Sequence, residues 1–248
     1  MIVELFGPPG SGKTTFAHAL AKRLREDGYC AEVVRSYHPA VRSGKLDLGI
    51  FLAVARIVSA TVSTARIIFS PRSGGGNLSK SMLLLRTIPP KKPIWRARTW
   101  QHILKLSHAW DRAKLIEGIQ IFDEGYVQAV GSLALHNGKA DKATLETVLS
   151  NLPAADLTIR VVLPRAVVAT RLRKRIEREP PAERLFEADL EVNMRSFGVF
   201  NTISDILSAS GRDFICVKTS TQGATTKSAR DVERAIIAKR NLAPKQRQ

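Results

Sequence analysis

Residues Gly7–Thr14 read GPPGSGKT, a full match to the pattern G-x-x-x-x-G-K-[ST]. An apolar, β-rich run, Ile2–Phe6 (IVELF), leads into the motif, and an amphipathic run from Lys13 leads out. The motif is therefore expected at a strand-to-helix turn. There its glycines let the backbone wrap an anion with successive N–H groups pointing inward, and the helix N-terminus adds a favourable dipole. A merely structural Gly/Pro turn is the competing reading, and the flanking strand and helix argue against it. The motif implies a nucleoside-triphosphate site cradled by Gly7, Pro8, Pro9, Gly10, Ser11, Gly12, Lys13, Thr14 and Thr15. Lys13 would bridge the β- and γ-phosphates, and the Thr14 hydroxyl would ligate Mg²⁺, with ATP and Mg²⁺ as cofactors.

The rest of the chain supports the same class of fold. Four further β-rich runs, Ala31–Arg35, Ile119–Asp123, Leu157–Leu163 and Phe214–Lys218, alternate with helical patterns at 13–27, about 99–117, 165–178, 184–209 and 228–240. Near-continuous apolar runs of this length suit strands buried on both faces of a parallel sheet. The expected fold is α/β: a three-layer P-loop kinase-like fold with a five-stranded parallel sheet, a helical and loop insertion, and a small lid. With 248 residues and 44% hydrophobic residues, the chain has material for one large domain, 1–240, followed by a basic tail, 241–248. The two cysteines, Cys30 and Cys216, lie in or beside strand runs and are expected to be buried, reduced thiols. The sequence opens directly into a strand without a basic n-region and apolar h-region, so a cytoplasmic protein is expected.

The formal charge of +17 is unevenly spread. Residues 48–110 carry ten Lys/Arg and no Asp or Glu. A merely solvated face usually mixes signs, because like charges repel, so this stretch should meet an anionic body. Within it, 49–70 approaches the length of a membrane span, but Arg56, Arg66 and five Ser/Thr make a spanning helix a poor reading. Arg56, Ser59, Ser63 and Arg66 would share one helical face. The apolar remainder is read first as packed on the core or a partner, and second as an interfacial helix on a membrane surface. Residues 71–98, with PRSGGG and IPPKKPIW, read as a long basic mobile loop.

Two further elements bear on chemistry. The third strand run ends in Asp123-Glu124-Gly125, which places two carboxylates at the carboxyl end of a strand, where open α/β sheets bind ligands. One can hold the Mg²⁺ shell, Asp123 together with Thr14, and another can orient or deprotonate an attacking hydroxyl. The residues leave open whether Asp123 or Glu124 is the base. The second element is Arg171-Leu-Arg-Lys-Arg175 with Arg178. Arg171, Lys174, Arg175 and Arg178 share one helical face, suited to charge that develops at the γ-phosphate. No His/Cys/acid spacing suggests zinc; His38 alone stands at a strand's carboxyl end. Trp95, Trp100 and Trp110 read as packing residues, and Thr219–Gln222 as a loop facing the adenine.

GPPGSGKTTFAHALAKRL, Trp110-Asp111-Arg112, IFDEGY, ADLTIRVVLPRAVVATRLRKR and ERLFEADLEVNMRSF stand in this order. In that order they resemble the P-loop nucleoside and nucleotide kinases, and among them thymidylate kinase-like proteins. By this resemblance Asp123 matches the Asp of an Asp-Arg-Tyr element, Arg171 and Arg175 match lid arginines within 165–190, and residues 46–110 shape the acceptor site. The resemblance also implies a homodimer. Pro8-Pro9 stands where the family tends to carry an acid, and Glu124 replaces an Arg that faces the acceptor's phosphate. A carboxylate there disfavours a dianionic phosphate acceptor such as dTMP.

The resulting expectation is an ATP-dependent phosphotransferase in which Lys13, Asp123, Glu124, Arg171 and Arg175 act on transfer to a hydroxyl. The acceptor would be a small molecule, sugar or lipid-linked glycan on an anionic body, with 48–70 available to a membrane surface. The alternatives are a polynucleotide 5′-hydroxyl kinase, a toxin-type kinase of nucleotide sugars, and a weakly catalytic ATP-binding regulator recruited to a membrane. Few aromatics (6%) weigh against nucleic acid.

Overall fold

The computed structural model describes residues 1–34, 76–91, 93–178, 190–212 and 214–242. Outside them lie Arg35, His38, the apolar basic segment 48–70, the 179–189 portion of the expected lid and the tail from 243. Five strands form one sheet: β1 (Ile2–Phe6), β2 (Ala31–Val34), β3 (Ile119–Phe122), β4 (Leu157–Val162) and β5 (Phe214–Lys218). Their order is β2-β3-β1-β4-β5 and every pairing is parallel, so β1 is central. Among the described residues there are eight helices. They are α1 (Lys13–Glu26), α2 (Gly76–Thr87), α3 (Pro93–Leu115), α4 (Tyr126–Asn137), α5 (Lys142–Ser150), α6 (Arg165–Arg178), α7 (Leu190–Ala209) and α8 (Gln222–Leu242). The expected α/β class and parallel sheet are both present.

The period of two in β1 sorts the core into two layers. Val3 and Leu5 face a cluster with Phe16, Leu20 and Leu24 of α1 and Val232 and Ile236 of α8. Ile2 and Phe6 face the other side, with Trp110 of α3, Val130 and Leu133 of α4, Val148 of α5 and Phe200 and Ile203 of α7. Each large side chain buried in these layers contributes about 2 kcal/mol of transfer free energy. Glu4 lies between Ile2 and Phe6 and so points to the same side as α4, where it is 1% exposed.

The structure corrects four expectations. Residues 71–98 are not one long loop: α2 fills 76–87, and Leu84 and Ile88 anchor it in the core. Pro93 begins α3, a position where its missing N–H has no intrahelical partner to lose. Helices α4 and α5 were not read from the sequence, although Asp141 caps α5 by accepting from the Thr144 N–H at 2.8 Å. Both cysteines are exposed rather than buried. Cys30 immediately precedes β2 and Cys216 lies in β5, the two edges of the sheet. The rule that parallel strands are covered on both faces holds for β1 and β3, but β5 has only Val217 buried. Trp110 is a core residue as expected, packed against Phe122 and Tyr126 at ring-centroid distances of 4.8 and 5.0 Å.

Candidate nucleotide site

The loop between β1 and α1 stands at the carboxyl end of the central strand, and the turn after β3 stands beside it. Gly12 is the residue before α1, in a left-handed conformation with φ 93°. An added Cβ there would lie in ordinary contact with Arg171 Nη1 and Thr219 Oγ1, 3.4 Å from each, so the position favours glycine through its backbone conformation. Thr219, just past β5, donates its hydroxyl to the Ser11 carbonyl at 2.6 Å. The segment expected to face the adenine thus has its first residue against the loop.

Lys13 is buried, and its Nζ donates to the Gly7 carbonyl at 3.1 Å and to the Pro8 carbonyl at 3.5 Å. Glu124 Oε1 stands 3.9 Å from the same nitrogen. Burial holds the Lys13 ammonium below the usual lysine range; the carboxylates of Glu124 and Asp123 oppose this, and the Arg175 guanidinium adds to it. The Thr14 hydroxyl donates to Asp123 Oδ2 at 2.9 Å. Two hard oxygen donors at the start of α1 and the end of β3 are therefore adjacent, a donor set that suits Mg²⁺. With a nucleotide bound, the same two residues would hold the ion against the phosphate oxygens, where it supplies charge neutralisation.

Helix α6 brings the arginines. Arg171 Nη1 lies 3.5 Å from the Gly10 carbonyl, and Nη2 lies 3.5 Å from that of Thr219. Arg175, one turn on, exerts its charge on Lys13. Leu172 and Val168, beside Arg171 on α6, sit in a small apolar cluster, and Leu172 lies over Gly10. The geometry thus brings Lys13, Thr14, Asp123, Glu124, Arg171 and Arg175 together around one loop.

Two residues that sequence reasoning did not single out complete the site. Gln128 of α4 accepts the Gly7 N–H on its Oε1 at 3.0 Å. Glu4 of β1 accepts the Val127 N–H at 3.2 Å, and burial pushes its carboxyl up to about 7. An acid in the middle of an apolar strand was the one available signal for Glu4. Gln128 gave none.

The sequence pattern of the ATPase family associated with various cellular activities (AAA) matches residues 3–70. That span includes β1 from its second residue, the phosphate loop, α1 and β2. The parallel sheet and the loop are consistent with a P-loop NTPase fold, and the match covers its N-terminal part. No curated protein matches the chain. The match supports ATP binding and hydrolysis by the P-loop unit; it does not extend to a thymidylate kinase-like membership. The segment 48–70 lies outside the described residues, and no helix among those described is long and apolar enough to cross a membrane.

Proposed function

We propose that this P-loop NTPase is a kinase that moves the γ-phosphoryl group of ATP to a hydroxyl of a small molecule, a sugar or a lipid-linked glycan. One observation carries the reading: Arg171, from α6 of the same chain, meets the loop at Gly10, while Asp123 and Glu124 meet it at Thr14 and Lys13. Cations for the migrating phosphoryl group and carboxylates for the metal and the attacking hydroxyl then surround one point, as in-line transfer requires. In this scheme Lys13, Arg171 and Arg175 stabilise the transferring phosphoryl group. Asp123 shares the metal with Thr14, and Glu124 or Asp123 takes the hydroxyl proton. Glu124, held beside Lys13, gives the acceptor side of the loop a carboxylate, which supports a neutral reacting hydroxyl over a phosphate. The acid-free basic stretch 48–110 would then hold a larger anionic body that carries this hydroxyl.

The AAA match favours a second reading, in which the acceptor is water and the chain is an ATPase. One experiment separates the two: γ-labelled ATP incubated with pools of nucleosides, sugars, lipid-linked oligosaccharide and oligonucleotides. The kinase reading expects label transferred to one pool faster than inorganic phosphate is released. Phosphate release unaffected by every pool would establish the ATPase. Phosphorylation of dTMP as efficient as that of any other acceptor would overturn the role given to Glu124.

A further inference from the structure

Helix α4 begins at Tyr126, and the preceding Gly125 offers no side chain to cap it. Its first turn is satisfied from another strand, because Glu4 Oε2 accepts the Val127 N–H at 3.2 Å. Glu4 Oε1 lies 3.5 Å from the Thr158 hydroxyl, which ties the same carboxyl group to β4. Gly125 rests directly on this group: an added Cβ would come within 2.2 Å of Glu4 Oε2. The next residue of the helix, Gln128, faces the phosphate loop and accepts the Gly7 N–H at 3.0 Å. Glu4 and Gln128 are 1% and 4% exposed, so neither bond competes with water.

The first turn of α4 is thus bonded on one side to β1 and on the other to the first peptide of the loop. It also continues directly from Asp123-Glu124-Gly125. We infer that Glu4 and Gln128 are positioning residues that set the register between the acidic turn and the phosphate loop, so that Asp123 and Glu124 meet Thr14 and Lys13. The inference rests on the reading of the loop as a nucleotide site. The division of labour follows from the two bonds. Gln128 acts on the loop, and therefore on ATP binding. Glu4 acts on the turn that carries the carboxylates, and therefore on turnover.

The test measures ATP hydrolysis and the affinity for ATP in wild-type protein, Gln128→Leu, Glu4→Ala and Glu4→Gln, with thermal unfolding of each. Gln128→Leu is expected to raise the Kd and KM for ATP about tenfold, the scale of one buried hydrogen bond, and to leave kcat within about threefold. Glu4→Ala is expected to lower kcat about tenfold with KM within about threefold, and Glu4→Gln, which keeps a carbonyl acceptor for Val127, to recover most of that loss. Variants that melt lower than wild type yet keep both constants would make the two residues purely structural and overturn the inference. If Glu4→Ala does not fold, Gln128→Leu decides alone, through the split between Kd and kcat. Failure of the underlying reading looks different: ATP affinity would survive Lys13→Ala unchanged, and the inference would fall with it.

Discussion

The two sides of the phosphate loop are built differently. On the side of β3, contacts are short: Thr14 to Asp123 at 2.9 Å, partly buried, and Gly7 to Gln128 at 3.0 Å and Val127 to Glu4 at 3.2 Å, both buried. On the side of α6, Arg171 reaches two carbonyls at 3.5 Å from an exposed position, and Arg175 is exposed as well. The first side is fixed by the fold, since each of its bonds joins elements already paired or packed in the core. The second side rests on long side chains and a small apolar cluster, Leu163, Val168 and Leu172 with the half-buried Val167, Leu190 and Phe197 around them. A site of this kind keeps Asp123, Thr14 and the loop pre-organised and leaves the arginine charge to a helix with a smaller apolar footing.

The largest expected effect tests the fixed side. Lys13→Ala should lower ATP turnover by about 10³-fold, the range found when a pre-organised donor to developing charge is removed. Steady-state kinetics with folding checked by circular dichroism measures it, and a loss below tenfold would break the assignment of the loop as the reacting site. Next comes Glu4, the buried acid beneath that side. Its carboxyl group titrates near 4.5 when unfolded and about 7 when folded, with burial as the leading cause, so the folded chain keeps a proton that the unfolded chain releases. Stability from this group is complete below pH 4.5 and lost as pH rises through 7, a fall of about 3 kcal/mol. Denaturant unfolding at pH 4.5 and pH 8 should show that fall in wild type and not in Glu4→Gln; equal pH slopes would contradict it.

The weaker side comes next. Arg175→Ala should cost about 10²-fold in ATP turnover, close to 2.7 kcal/mol of transition-state stabilisation, without a change in melting temperature, because its side chain is solvent-exposed. A drop in stability equal to that from a core substitution would show that α6 belongs to the rigid side after all. The smallest effect is a control remote from both. Asp141→Ala removes the cap of α5 and should lower stability by about 1 kcal/mol with ATP turnover unchanged.

The part of the molecule legible in the sequence is the part governed by local rules. IVELF followed by GPPGSGKT specified a strand, an anion-binding turn and a helix, and the sheet placed Asp123 beside Thr14 as the strand-end argument required. What escaped is non-local. Helix α4 reads as YVQAVGSLALHN, apolar on most sides because it is buried against α7, so it shows no amphipathic stripe to find. The exposure of Cys30 and Cys216 depends on strand order, which no apolar run encodes. Gln128 acquires its meaning only when the fold carries it to Gly7, 121 positions away in the chain.

That strand order has a practical reach. The two thiols are the only cysteines of the chain, both accessible, one just before β2 and one within β5, the outermost strands, with the central strand and its loop between them. A pair of fluorophores attached there would form a ruler laid across the whole sheet, with no residue of the site replaced. The native protein already carries the handles with which changes across the nucleotide site can be followed during turnover.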